Sequence, residues 1–312
     1  MANIALLGNH GCAFSTESEL SYTLEDMGHR VIKLQENELT TNEVVSATRE
    51  RGARLFIYVH THGWGQVGAI SPEQMVQQIR SSGIKTCSFH LDRFFGLNKL
   101  DGREDRIGDH AFFKTDMLFS ADGEDDSRWE ARGIKHHWLL PGVVKRDCYL
   151  GTRQPHYASP LLFAGSDFYH TEYPWRGIMV SRLKEFYGSN FRVYQGVRQK
   201  ELNDLYASVR VCVGDHCFSG VPRYVSDRLF ETIGRGGFII YPETEGVTGL
   251  IPGLVTYKPQ DIVDLKKKID YYIDDANQAE RLERRDAAHA WVKENGTYHN
   301  RMAELLKVME IS

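Results

Sequence analysis

Arg228 and Glu231 stand three residues apart in SDRLFETIGRGGFIIY, residues 226–241 of the chain. The segment reads as a short helix, a glycine break at 234–237 and a buried strand. On a helix, residues three apart share a face, here near the N-terminal end. Free backbone N–H groups and the helix dipole favour negative charge at that end. A carboxylate beside an arginine at such an end suits a ligand carrying both hydroxyls and phosphates, and a nucleotide sugar is one. Gly234, Gly236 and Gly237 are better explained as a tight helix-to-strand turn than as ligand contacts.

The elements that must position this pair follow a repeating strand–helix pattern. Residues 4–7 read as a strand, followed by the loop Gly8-Asn9-His10-Gly11 and a helix over 17–27 that ends at Gly28. Strands follow at 31–34 and 55–59, a helix after Ser71-Pro72 with proline in its first turn, and strands at 86–91, 117–120 and 137–140. A polar, irregular stretch over 141–160 reads as a linker. The pattern then restarts: strand 161–164, helix 177–187, strand 191–194, helix 200–207, strand 209–213, the Arg228 helix and a strand at 238–241. A charged helix over 259–274 and further helical sequence to residue 311 finish it. Strands separated by helices predict parallel sheets covered on both faces. The expected fold class is α/β, two doubly wound Rossmann-like domains facing a cleft, over 1–150 and 151–312.

Length and composition agree with two domains, each with its own core: 312 residues, 41% hydrophobic and 26% charged. No apolar run approaches the roughly 18–20 residues that span a bilayer, and MANIALLG lacks the basic start and long apolar stretch of a signal peptide, so a cytoplasmic site is expected. Five scattered cysteines do not form a disulfide framework. Cys212 and Cys217 flank His216, but no second pair with ligand spacing supports zinc. A net charge of −4 argues against strong non-specific nucleic-acid binding, while leaving room for a local basic groove.

The second half resembles a known family. The order Gly165-Ser166 loop, Arg176-Gly177, helix, strand, Leu-Tyr helix, then Arg228-x-x-Glu231 and Gly236-Gly237 is similar to glycosyltransferases of the two-domain GT-B fold. The group 1 branch related to spore-maturation (CgeB-like) proteins is the best match. Two further segments, FFKTDMLFSADGEDDSRWEARGIKHHWLLPGV and YYIDDANQAERLERRDAAHAWVKENGTYHNRMAELL, resemble that branch's domain end and C-terminal pattern. The resemblance covers roughly residues 112–306. It implies an acceptor-side N-terminal domain, a donor domain from 151, and a C-terminal helix packing back toward the N-terminal domain. It also implies a hexosyltransferase-type enzyme that needs no cofactor beyond its donor substrate, a nucleotide diphosphate sugar with a UDP-sugar as first choice.

Residue by residue, the resemblance gives Glu231 the two ribose hydroxyls, and Arg228 and Arg176 the diphosphate, which a guanidinium fork suits. Gly165 and Ser166 let the backbone approach the donor, and Val197 lies where the base packs. Against this, Glu231 can pair with Arg235, and Arg228 with Glu231 or Asp227. In the N-terminal domain Gly11 and its neighbours offer backbone N–H groups to the diphosphate. Asp92 is the leading candidate for the base that takes the acceptor's proton, followed by His62 and His10; His60 and His90 also follow strand ends. Many retaining members carry two glutamates eight positions apart, and the first would fall on Arg223, so stereochemistry stays open. No Asp-x-Asp follows a strand, and metal-independent chemistry is expected, with arginines and helix ends stabilising the leaving group. The acceptor stays open among glycan, lipid-linked sugar, protein, small metabolite and hydroxymethylated base in phage-type DNA, with 62–66 and 94–103 as its candidate surface. A nucleotide-sugar 2-epimerase and an inactive nucleotide-binding module are the rival readings.

Overall fold

The structure, a computed structural model, describes residues 1–59, 68–91, 93–95, 110–123, 126–166, 174–217 and 221–312. It separates into two compact units, Met1–Leu140 with Tyr298–Ser312, and Pro141–Thr297.

In the first unit, β1 (Asn3–Gly8), α1 (Thr16–Asp26), β2 (Arg30–Gln35), α2 (Thr41–Glu50), β3 (Leu55–Tyr58), α3 (Pro72–Ser81), β4 (Lys85–His90), β5 (Met117–Ser120), α4 (Asp126–Glu130) and β6 (His136–Trp138) follow one another. The six strands form one sheet, ordered β2-β1-β3-β4-β5-β6, and every pair is parallel. The four residues of β3 are all buried, as a sheet covered on both faces requires. The helix starts are fixed locally. Ser15 accepts from the Ser18 amide, Thr40 and Glu43 form a capping box, and Ser71 and Gln74 form a second one beside Pro72. Phe56, Tyr58, Phe94, Phe95, Phe112 and Trp129 fill the core.

The second unit holds β7 (Ser159–Ala164), α5 (Trp175–Tyr187), β8 (Phe191–Tyr194), α6 (Gln199–Ser208), β9 (Val209–Val213), α7 (Asp227–Gly234), β10 (Ile239–Pro242), β11 (Val255–Tyr257), α8 (Ile262–Ile273) and α9 (Gln278–Asn295). Its five parallel strands are ordered β11-β10-β9-β7-β8, with Leu161, Phe163, Val211, Val213, Ile240 and Tyr257 in the core.

Three features differ from the sequence expectation. The stretch over 141–160 is no loose linker. Val143 and Val144 are fully buried, and Asn203 on α6 donates to the carbonyls of Asp147 and Tyr149. The Thr152 and Gln154 amides donate to Asp204 and Ser208. It reads as irregular because side chains of α6, rather than a ladder, satisfy its backbone. The division falls at Leu140/Pro141, where residue 150 was expected. Finally, residues 298–312 belong to the first unit and not to a second domain running to 312; α10 (Tyr298–Val308) is the C-terminal helix expected to pack back there, with His299 on Asp26, Glu304 on His137 and Glu310 on Lys85. No helix of the described residues is long and apolar enough to cross a membrane.

Candidate functional site

In each sheet the strand order reverses once, between β1 and β3 and between β7 and β9. At such a point the two outgoing loops diverge to opposite faces and leave a crevice beyond the carboxyl ends of the strands. In the second unit that place is occupied by Gly165, Asp215, Arg176 and Arg228.

Asp215, two residues beyond β9, is completely buried. Arg176, on the first turn of α5, aims its Nε at both carboxylate oxygens at 3.0 Å and its Nη1 at the Ser166 carbonyl at 3.3 Å. Arg228 of α7 donates from Nε to the Ala164 carbonyl at 2.9 Å, and from Nη1 to the Asp215 carbonyl and carboxylate at 3.1 and 3.2 Å. Its guanidinium also lies 4.8 Å from the centre of the Phe163 ring, a favourable cation–π distance. Among the described residues, two guanidinium groups thus share one carboxylate. Burial opposes the charge on Arg176, but the adjacent Asp215 raises its pKa above the ordinary value. Among the described residues nothing accepts from Arg228 Nη2. That nitrogen lies over Gly165, where an added Cβ would come within 2.6 Å of it, and Gly165 has a φ of +129°. Only glycine leaves this space open.

The start of α7 is also open. Ser226, its N-cap, makes no side-chain capping bond; its hydroxyl donates to the Asp215 carbonyl and meets the Tyr241 hydroxyl. The first turn of α7, which carries Asp227, thus has no side-chain cap from Ser226.

Arg228 and Glu231 do not pair. Glu231 accepts at Oε2 from Arg235 Nε at 2.5 Å, and its side chain keeps 18% exposure. No described residue donates to its Oε1. Arg235, 3% exposed, also donates to the Gln199 carbonyl, to Asn203 and to Asp147. Burial raises the Glu231 carboxyl above the usual range, and Arg235 opposes that shift. Val197, half-buried after β8, follows Gly196, whose φ is +75°. Arg223 carries a φ of +60°, rare for a side chain of its size.

His216, fully buried beside the arginines, bonds Thr244 through Nε2 and stacks on Tyr241. Burial first, then Arg176 and Arg228, push its pKa down to about 3. An imidazole in the unfolded chain titrates near about 6.5, so below that pH the unfolded state takes a proton that the folded state refuses. The stability this histidine contributes is complete above pH ~6.5 and falls as the pH drops toward 3, at roughly 1.4 kcal/mol per unit. Between pH 6.5 and 5 the protein should lose on the order of 1–2 kcal/mol more than a His216→Gln variant does. Equal slopes in chemical unfolding at the two pH values would show that His216 protonates without unfolding. Cys212 faces the core from β9, and the described residues gather no cluster of three or more His, Cys, Asp or Glu side chains as a metal ion would need.

At the reversal in the first sheet, His10 is held by the fold. Its Nε2 lies 3.0 Å from the Leu6 carbonyl, and its Nδ1 lies 3.4 Å from the Ser21 hydroxyl. Burial lowers its pKa. The amides of His10 and Gly11 donate to Gln35 and Asn9, so the N–H groups expected to meet a diphosphate are already engaged, and the ring is poorly placed to act as a base. His60, His62 and Asp92 lie outside the described residues, as do residues 62–66 and most of 94–103; Phe94 and Phe95 are core residues. The residue missed by the sequence reading is Asp215. Its signal was a carboxylate directly after a strand-ending glycine, in Val213-Gly214-Asp215.

Residues 153–307 match the model of a family described as Glycosyl transferase-like. No curated protein matches the chain. Among solved structures, a glycosyltransferase from Rickettsia africae ESF-5 aligns at 11% identity and a TM-score of 0.66, over 99% of this chain and 98% of that one. Anabaena Alr3699/HepE, in complex with UDP and glucose, aligns at 10% and 0.65 over 99% and 100%. A trehalose-6-phosphate protein from E. coli bound with UDP-2-fluoro glucose aligns at 9% and 0.65 over 100% of both chains. At these identities the likeness is one of architecture: the chain has two doubly wound parallel-sheet domains, the GT-B fold. Its second half is, in sequence, glycosyltransferase-like.

Proposed function

We propose that the protein is a glycosyltransferase of the group 1, CgeB-like branch. Its second unit holds a nucleotide diphosphate sugar, a UDP-sugar in the first instance, and it passes the sugar to a hydroxyl acceptor without a metal. In the transfer the bond from the anomeric carbon to the diphosphate oxygen breaks and a bond to the acceptor oxygen forms. The acceptor's proton goes to a base, and the leaving diphosphate takes the electron pair. Arg228 Nη2, Arg176 and the open start of α7 would stabilise that leaving group, over the backbone of Gly165 and Ser166. Glu231 Oε1 would accept from the ribose, and Val197 would border the base. The first unit is the proposed acceptor side, with Asp92 as base and His62 behind it; His10 ranks last, because both its ring nitrogens have partners.

The observation that carries the reading is the pair of arginines at the β7/β9 reversal, with one Arg228 nitrogen that no described residue engages, above a glycine that has no side chain to fill the space. UDP and GDP, each with and without glucose, provide the test in a melting screen, since a ligand at about 100 times its Kd stabilises by roughly 2.7 kcal/mol. A shift with one of them, weakened at least about tenfold in affinity in Glu231→Ala, is the expected result. Unchanged affinity in that variant would remove Glu231 from the donor site. An isomerised sugar formed from donor alone would identify an epimerase instead.

A further inference from the structure

Arg235 has no part in the roles assigned above, yet it donates to four acceptors near the proposed donor site. It is buried, and its donors are spread over four acceptors: Glu231 on its own helix, Asn203 and the Gln199 carbonyl on α6, and Asp147 on the segment before β7. Asn203 is itself fixed, because its amide nitrogen donates to the Asp147 and Tyr149 carbonyls at 2.8 Å. A guanidinium held from three sides cannot follow a moving carboxylate, so the carboxylate must sit where the guanidinium holds it. Glu231 is thereby held through one oxygen only, and its other oxygen accepts from no described group.

We infer that Arg235 is a positioning residue: it clamps Glu231 through Oε2 so that Oε1 is presented, charged and in one orientation, to the hydroxyls of a bound ribose. The inference rests on the donor-site reading above. A planar, five-donor guanidinium is suited to this task, because it holds a carboxylate and three further acceptors at fixed angles. A lysine at the same place keeps the charge and loses the fork. Burial favours the neutral form of Glu231, and Arg235 is the group that opposes it. Among the described residues, the other groups near Glu231 are Asp227 on α7, Asp147 and Cys148 on the segment before β7, and Tyr206 on α6, none of them a cation, with Lys293 of α9 acting on Cys148 beyond them. On α9, packed against α7, His289 is turned to the Ile233 carbonyl. Without Arg235 the Glu231 carboxyl would therefore hold its proton to higher pH, and the ribose would lose its charged acceptor.

The test compares the affinity of the intact protein for UDP and GDP with that for their 2′-deoxy forms, by calorimetry between pH 6 and 8. The protein should prefer one ribonucleotide over its deoxy form by about tenfold. In Arg235→Gln that preference should shrink to less than about threefold, and the remaining affinity should rise with pH across the window; Arg235→Lys should fall between the two. A purely structural role would weaken ribo and deoxy ligands equally and leave their ratio untouched. Full preference in Arg235→Gln, with the parent's pH profile, would overturn the inference and leave the donor site standing. Binding by the parent without any 2′ preference would overturn it as well, since Glu231 would then not meet the ribose. No binding of UDP or GDP by the parent would overturn the donor reading itself. Should Arg235→Gln fail to fold, Asp147→Asn loosens the clamp while keeping the cation, and an unchanged 2′ preference in that variant sinks the inference.

Discussion

Asp215→Ala is expected to destabilise the second unit by about 3–5 kcal/mol, a fall of roughly 10 °C in melting temperature. Asp215 is fully buried, and both Arg176 and Arg228 meet its carboxylate. Removing it strands two guanidinium groups that burial has already taken out of water, and that is far more costly than losing a surface ion pair. Arg228 would keep its bonds to the Ala164 carbonyl and to the backbone carbonyl of residue 215, but would lose the carboxylate that holds Nη1 and offsets its charge. Nucleotide diphosphate affinity should therefore fall together with stability. A companion variant separates charge from packing. Replacing all three charges, Asp215→Leu with Arg176→Met and Arg228→Met, removes the cluster rather than one member, and should recover much of the lost stability. If Asp215→Ala melts within about 2 °C of the parent, the cluster is not an anchor of the fold.

Gly165→Val should abolish nucleotide diphosphate binding, with a loss of about 100-fold or more. Two costs coincide at this position. A side chain at a φ of +129° is strained by about 1–3 kcal/mol whatever surrounds it. The added Cβ also falls 2.6 Å from Arg228 Nη2, so the guanidinium must leave the place proposed for the leaving group. Gly28→Ala isolates the first cost. Gly28 has a φ of +86°, and nothing lies within 4 Å of its would-be Cβ. That variant should lose about 1 kcal/mol and bind nucleotide as the parent does. Equal binding by Gly165→Val and the parent would show that the donor does not use this space.

Much of this architecture is legible in the residues, because each unit's strands are short apolar runs and its helices carry their own start signals. Helix α2 is an instructive omission: the Thr40-x-x-Glu43 box that begins it was present in the sequence, but the mixed TNEVVSATRE pattern hides its buried face. β11 has only three residues, too few to show any period. The site was legible in part. Arg176, Arg228 and Gly165 meet at one place; it was the family resemblance, rather than their spacing, that had assigned them to one donor. The partner of Arg228 was not legible, since a contact between residues 215 and 228 depends on where a loop turns rather than on helix periodicity. Pairing of Glu231 with Arg235 was the plainer alternative, and it is the one the structure contains. Among the described residues that pairing uses one carboxylate oxygen, Oε2.

The chain enters and leaves the second unit side by side, where Val143 bridges Thr297 and its amide donates to the Gly296 carbonyl. Residues beyond that point return to the first unit as α10, with Met302 and Leu305 fully buried there. This arrangement sets an order of assembly during synthesis. Everything the second unit needs is contiguous, so it can close as soon as its residues have left the ribosome. The first unit begins earlier but stays without one of its covering helices until the whole of the second has been made. The part of the protein translated first is therefore the part that finishes folding last, and it must be kept from aggregating in the interval.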